Sequence, residues 1–152
     1  MTTNNRTYTS RRANIVRALA EKLKDIDGSG AFISDLQNNA HPTLKFWDEV
    51  EEFPAIHLNA GAETREYQGG GYKDRFLSIT LRCYVNEDDA QEALNVLMED
   101  VETILEDSAQ LEYLDRQNNS FKTQQITIIS IDTDEGVLDP LGVGEILIEV
   151  RY

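Results

Sequence analysis

The chain has 152 residues, 40% of them hydrophobic, and its 28 acidic against 14 basic residues give a formal net charge of −14. This length predicts one domain, 1–152, with a core large enough to fold without disulfides. The single cysteine, Cys83, excludes an internal disulfide and with it the disulfide-stabilised class of secreted domains. The acidic excess disfavours tight binding of duplex DNA, which needs clustered positive charge.

The first 14 residues, MTTNNRTYTSRRAN, lack the apolar segment of a secretory signal peptide. No apolar run in the sequence approaches the roughly 20 residues that cross a bilayer. We therefore expect a soluble, cytoplasmic protein with no membrane partner.

Residues 10–26 predict the first helix, because their apolar residues from Ile15 to Ile26 recur at spacings of four, four and three. Ser10 or Thr9 is expected to cap the start of this helix. The DGSG sequence that follows is expected to end it, since glycine is common just beyond a helix.

The stretch after this helix is expected to be mostly extended. A short helical turn is expected around Phe32–Leu36, and residues 43–67 look extended, with room for an additional short strand near Leu44–Val50. His57 alternates with apolar neighbours and is expected at the surface or in an interface. Trp47 is expected to pack in the core, with a role as an interface anchor as the alternative.

The sequence EYQGGGYKDR, residues 66–75, places three glycines between two tyrosines. A phosphate-binding loop needs its glycines between a strand and a helix, whereas here a strand pattern follows, so we interpret the glycines as a hairpin turn. Tyrosine and arginine are enriched in protein interfaces, which makes this turn a candidate contact with a partner. The candidate interface residues are Tyr67, Gly69, Gly70, Gly71, Tyr72, Lys73 and Arg75.

The strand after the glycines, DRFLSITLRCYV at 74–85, alternates between two faces. Its apolar face is expected to meet the core and carries Leu77, Ile79, Leu81, Cys83 and Val85. Cys83 is therefore expected to be a buried small hydrophobe rather than a reactive thiol. At 11 to 13 residues the strand exceeds the common length of about 5 to 6, and with the strand before it we expect a hairpin that projects beyond the sheet.

Residues 86–107 predict the second helix, with Asn86 as its cap and acidic residues in its first turn. Its predicted buried stripe consists of Ala90, Leu94, Leu97, Val101, Ile104 and Leu105. A polar loop is expected as far as Asn119, followed by two strands in FKTQQITIISIDTDE and GVGEILIEVRY. The order helix, strand, strand, helix, strand, strand predicts an α+β fold: a mostly antiparallel sheet with two helices packed on one face and a long protruding β-hairpin.

Charge is unevenly distributed along the chain. Eleven acidic residues lie between Cys83 and the next basic residue, Arg116, whereas the first 24 residues carry six basic residues and one acidic one. In a monomer, this charge pattern is explained by two helix faces that are exposed to solvent. The alternative is that the two charged faces are complementary surfaces that meet between neighbouring subunits. The candidate inter-subunit charge patches are Arg11, Arg12 and Arg17 on the first helix and Glu99, Glu102 and Glu106 on the second.

The sequence offers little support for catalysis or for a bound cofactor. His41 and His57 are the only histidines, and neither belongs to a metal-binding motif. DTDEGVLD at 132–139 faintly suggests a calcium loop but lacks the D-x-D-x-D-G spacing. We expect no catalytic residue, no metal and no cofactor, and we do not expect an enzyme.

The order of these elements resembles the tail terminator proteins of long-tailed bacteriophages. The resemblance rests on a leading helix, RRANIVRALAEKLKDIDG, and on the FPAI…Y…R hairpin that precedes a long strand. It continues through EDDAQEALNVLMEDVETIL and ITIISIDTDEGVLDPLGVGEILIEVRY, and so covers nearly the whole chain.

The resemblance implies an α/β sandwich that assembles as a ring of identical subunits, commonly a hexamer. Such a ring binds the last layer of the tail tube protein, stops tube polymerisation and presents a surface to the head-completion or connector protein. It implies a virion protein at the tail neck, assembled in the host cytoplasm, with DNA passing through the lumen without specific binding. It also implies a protein without enzymatic activity or cofactor.

Two alternatives remain at this stage. One is a head-completion or neck protein of the same phage structure. The other is a small enzyme or ligand-binding α+β domain, which predicts a concave pocket with converging polar groups.

Overall fold

Two amphipathic helices and an antiparallel sheet form the structure, a computed structural model that describes residues 10–152. The elements in chain order are α1 (Arg11–Leu23), β1 (Ala40–His41), β2 (Ala55–Tyr67), β3 (Lys73–Asn86), α2 (Ala90–Asp107), β4 (Glu112–Leu114), β5 (Ser120–Lys122), β6 (Gln125–Thr133) and β7 (Leu141–Arg151). Five strands form one sheet in the order β1-β2-β3-β7-β6, and β4 pairs with β5 separately. The predicted α+β class with a mostly antiparallel sheet is confirmed.

Helix α1 begins where the sequence predicted and ends earlier. The Ser10 hydroxyl oxygen accepts a hydrogen bond from the Ala13 backbone N–H at 3.1 Å, which confirms Ser10 as the cap; Thr9 lies outside the described residues. The helix ends at Leu23, and the backbone N–H groups of the next three residues bond to carbonyls three positions back, which tightens the chain into a turn. Ile26 remains fully buried although it lies beyond the helix.

The two longest strands, β2 and β3, form an antiparallel hairpin. Their register runs from Ala55 opposite Tyr84 to Tyr67 opposite Lys73, with one irregularity in β2 after Ala60. On its other side β3 pairs with β7 over most of its length, starting at Phe76. Arg75 also exchanges two backbone hydrogen bonds with Tyr152, the residue after β7, so only Lys73 and Asp74 of β3 extend past this pairing.

One face of the sheet and both helices share a single hydrophobic core. The predicted apolar residues of β3, including Cys83, are all buried, as is the predicted stripe of α2. Packing is close at two glycines of β7: an added Cβ would lie 2.7 Å from the Met98 sulfur at Gly144 and 2.7 Å from Val85 Cγ2 at Gly142. The opposite face of the sheet carries half-exposed residues such as Thr80 and Leu147.

Two predictions for the segment between α1 and β2 were wrong. Phe32–Leu36 is not helical; Leu36 is buried, and its N–H donates to the Ile26 carbonyl at 3.0 Å. Leu44–Val50 forms turns rather than a strand. The short parallel strand β1 lies just before it, and the Asn39 carbonyl accepts a hydrogen bond from the Ile56 N–H at 2.8 Å.

The start of α2 and the loop after it also differ from the predictions. Asp89, not Asn86, caps α2, because Asn86 is still paired as the last residue of β3. The predicted polar loop contains β4, which pairs with β5 just after the loop. The buried Thr123 fixes this hairpin: its hydroxyl donates to the Ala109 carbonyl and accepts from the Leu111 N–H, both at 2.8 Å. Within residues 10–152, neither helix has the length and apolar composition needed to cross a membrane.

Candidate interaction surfaces

The glycine run is the turn of the β2–β3 hairpin, as predicted. Gly70 and Gly71 have φ angles of +78° and +84°, a left-handed conformation that glycine adopts without steric cost. The Gln68 N–H closes the turn by donating to the Tyr72 carbonyl at 2.7 Å. The side chains of Tyr67 and Tyr72 are 73% and 77% exposed. Because a strand rather than a helix follows, the turn lacks the geometry of a phosphate-binding loop.

The cations of this hairpin differ in how far they are engaged. Lys73 is exposed, and no ion pair to it forms among residues 10–152. Arg75 is half exposed and lies over the Tyr152 ring, with its guanidinium carbon 5.6 Å from the ring centroid. Lys73 and the two tyrosines therefore carry the most accessible side chains of the predicted interface, next to the exposed glycines, and we call these three residues the hairpin tip.

The basic residues of α1 also divide into bound and accessible ones. Arg11 donates to the Tyr113 hydroxyl at 2.8 Å and lies over the rings of Phe121 and Tyr152, so it holds α1 against β4, β5 and the end of β7. Arg12 donates to the Gly61 carbonyl of β2. Arg17 is exposed, and within residues 10–152 its one side-chain hydrogen bond is to the neighbouring Asn14 side chain. Arg17 is thus the member of this patch with most freedom to meet another subunit.

The acidic residues predicted on α2 lie on one side of that helix. Glu99, Glu102 and Glu106 are spaced by three and four residues; the first and last are exposed and the middle one is half exposed. None of them forms an ion pair within the described range. Asp100, which belongs to the same acidic run, is instead buried. We call the three glutamates the α2 acidic stripe.

The loop between β1 and β2 presents apolar side chains to solvent. Trp47 is 48% exposed, so the prediction that it packs in the core was wrong. The Tyr84 hydroxyl donates to the Lys45 carbonyl at 2.5 Å and Arg82 lies over the Phe46 ring, which fixes the loop while leaving much of its aromatic surface uncovered. The alternative, a role for Trp47 as an interface anchor, stays a prediction.

His57 is buried, and its prediction as a surface or interface residue was wrong. The alternation within β2 placed it on the face opposite the core, but β1 and the loop after it cover that face. Its Nδ1 lies 2.9 Å from the Thr43 carbonyl, and its ring stacks on His41 with centroids 5.1 Å apart. Burial lowers the pKa of His57, with the Thr43 hydrogen bond acting in the opposite direction.

The faint calcium pattern at 132–139 is a structural turn. The Asp134 carboxylate accepts hydrogen bonds from the Gln91 side chain and the Leu138 N–H, both at 3.1 Å, and from the Val143 N–H at 3.4 Å. Burial alone would raise the pKa of Asp134, but these hydrogen bonds outweigh it and lower the pKa. Over residues 10–152, no group of three or more His, Cys, Asp or Glu side chains is placed to hold a metal ion.

The structure also contains a groove that the sequence analysis missed. It lies between the start of β2, the end of β3, the N-terminal half of α2 and the loop after α1, and its volume is about 550 Å³. We call it the acidic groove. Its apolar lining is Ile33, Phe53, Pro54, Val85, Ala93 and Val96, and its polar lining is Ser34, Asp35, Gln37, Glu87, Asp89 and Glu92. No local sequence signal identifies it, because its walls come from four separate segments.

Comparison with known proteins agrees with the resemblance. The model of a family described as Bacteriophage Tail Tube Terminator Protein matches residues 9–152. The chain is also 34% identical over 150 residues to the Tail tube terminator protein p142 of Escherichia phage T5, an alignment that covers 93% of this chain and 92% of that protein. Nearly the full length is matched in both comparisons, and the chain therefore belongs to the tail tube terminator proteins of bacteriophages.

Proposed function

We propose that copies of this chain form a closed ring on the end of the phage tail tube. The ring ends polymerisation of the tube protein and provides the surface to which the head connector attaches. The protein acts by binding rather than by catalysis, and it enters the virion at the tail neck after assembly in the host cytoplasm. A hexamer is the ring size that the family resemblance implies.

The observation that carries this proposal is the α2 acidic stripe. Its three carboxylates form no ion pair within residues 10–152, and they lie on α2, whereas Arg17 lies on α1 beside Pro42 and Asn59. A face of one sign in one subunit and a face of the other sign in the next give a heterologous contact, which closes into a ring when repeated by rotation. In a ring, carboxylates that reach the lumen would repel the DNA phosphates and let DNA slide without specific binding.

The proposal is tested by adding the purified protein to polymerising tube protein. We expect negative-stain images to show shorter tubes with a distinct cap at one end. The mass of this cap should be a multiple of the mass of one chain, as a ring of identical subunits requires. Replacing Glu99 and Glu106 by lysine should weaken cap assembly. The control is the same change in net charge at Asp132 and Glu135, which are exposed at the far edge of the sheet, in and just after β6. Tubes that grow to the same length without a cap, whatever the protein concentration, would contradict the proposal.

A further inference from the structure

The acidic groove has the shape and surface of a docking site. Its floor is apolar, with Phe53, Pro54 and Val85 at the junction of β2 and β3, and Ile33 stands at its rim with 77% of its side chain exposed. Exposed apolar surface next to a concave floor is typical of contacts with a partner.

One wall of the groove is held in place by a buried carboxylate. Asp100 of α2 accepts hydrogen bonds from the backbone N–H groups of Ile33 at 3.2 Å and Ser34 at 2.8 Å. This clamp fixes the loop that carries Ile33 against α2. The groove is thus formed before any partner arrives, which lowers the cost of ordering on binding.

The rim of the groove is negatively charged and not neutralised within the described chain. Glu87 and Glu92 are exposed and form no ion pair among residues 10–152. Asp35 and Asp89 each accept a local backbone hydrogen bond, from Gln37 and Glu92, but they too have no cationic partner there. The groove therefore favours an occupant that combines an apolar or aromatic body with a positive charge.

The hairpin tip has this combination. Tyr67 and Tyr72 offer two largely exposed rings with polar ends, and Lys73 follows directly with a cation that has no ion-pair partner in the part of the chain described. Tyrosine is a common interface anchor because its ring buries apolar area while its hydroxyl keeps a hydrogen-bond partner.

The tip cannot reach the groove of its own chain. The groove lies where β2 begins and β3 ends, whereas the tip joins the end of β2 to the start of β3. The 13 residues of β2 separate the two by about 40 Å, at about 3.3 Å per residue. The two complementary surfaces thus occupy opposite ends of one molecule, an arrangement that suits head-to-tail contact between copies.

We propose that the hairpin tip of one subunit docks in the acidic groove of the next. Tyr72 lies on the apolar floor, and Lys73 faces the carboxylates of Glu87 and Glu92. The proposal rests on the ring of the proposed function and adds a second contact between neighbouring subunits to that of the α2 acidic stripe. Because the contact is heterologous, each subunit gives one tip and receives one, and a closed ring has no free tip or groove.

Paired substitutions test this contact. Tyr72→Ala should weaken self-association by about 30-fold, the effect expected of a buried interface anchor. Ile129→Ala, which removes a half-exposed apolar side chain of β6 outside both surfaces, should leave it unchanged. Lys73→Glu and Glu92→Lys should each weaken self-association, and the double variant should restore most of it. Thermal unfolding of each variant shows whether the monomer is intact. Equal self-association of all variants would overturn the proposal.

Disulfide trapping tests the geometry directly. Chains with Tyr72→Cys and Ile33→Cys together should give a ladder of covalent multimers on mild oxidation, whereas a mixture of the two single variants should stop at dimers. Cys83 is fully buried and does not compete. If the wild-type protein forms rings but the double-cysteine variant gives no cross-linked multimers, the tip–groove contact is wrong while the proposed function stands. If Ile33→Cys cross-links to the tube protein instead, the groove binds that partner. Absence of wild-type rings on tubes would instead contradict the proposed function.

Discussion

Removal of the Asp100 carboxylate should destabilise the free protein and loosen the acidic groove. Asp100 is 5% exposed and accepts the two hydrogen bonds from Ile33 and Ser34 described above. A hydrogen bond to a charged group contributes about 1.5 to 3 kcal/mol, and alanine leaves both donors without an acceptor. Water reaches the exposed side of this loop and replaces part of the loss. We therefore expect Asp100→Ala to lower the free energy of unfolding by about 2 to 4 kcal/mol.

The assay is chemical and thermal denaturation of the free protein, with Glu99→Ala as the matched control. A loss of this size lowers the melting temperature by about 5 to 15 °C in a chain of this length. Glu99 neighbours Asp100 but is exposed and unpaired in the described range, so its replacement should change stability by less than about 0.5 kcal/mol. Equal stability of the two variants would show that Asp100 does not clamp the loop.

Three further predictions concern the core and its buried titratable groups. Gly144→Ala places a Cβ 2.7 Å from the Met98 sulfur and should cost about 1 to 3 kcal/mol in urea denaturation; an unchanged midpoint would refute this packing. Burial raises the pKa of Cys83 to about 12, so the thiol should not react with a disulfide reagent at pH 8 until guanidinium unfolds the chain. Burial and the hydrogen bond to Glu63 raise the pKa of Tyr152 from 10.0 to about 12. The contribution of the raised Tyr152 pKa to stability is therefore complete below pH 10 and is lost as pH rises through 12. Tyr152→Phe should show a smaller fall in the free energy of unfolding between pH 10 and 12 than the wild type. An equal fall in both proteins would contradict the raised pKa.

Periodicity was sufficient to predict the framework of the fold. The four-residue spacing of α1, the stripe of α2 and the alternation of β3 each reflect a local rule: one face of an element meets the core. The glycine turn between Tyr67 and Tyr72 was predictable for the same reason, because it lies between two strand patterns and needs no distant partner.

The errors arose where a distant segment decides the environment of a residue. His57 follows the alternation of β2, but β1 and the loop after it cover the outer face at that position. Trp47 has the composition of a core residue and lies in a loop that β3 holds at the surface through Tyr84. Asp100 has the sequence context of a solvated acid, and only the fold brings the loop at Ile33 within reach of its carboxylate. A single sequence carries no signal for these long-range contacts.

The candidate surfaces were predictable in part. The hairpin tip and the α2 acidic stripe are contiguous in sequence or along one helix, so composition and spacing identify them. Arg11 was grouped with Arg12 and Arg17 by charge alone, whereas in the structure its guanidinium lies over the rings of a cluster of three aromatic residues. The acidic groove was missed because it exists only once four segments have folded together.

The central claim is that this chain functions as a closed ring of identical subunits on the end of a tube. A cryo-EM reconstruction of tube ends, prepared with the purified protein and the tube protein, tests that claim most directly. We predict one ring of this chain seated on the last tube layer, with the Tyr72 turn of each subunit in contact with the Ile33 loop of its neighbour. Single copies bound separately around the tube end, with no contact between them, would contradict it.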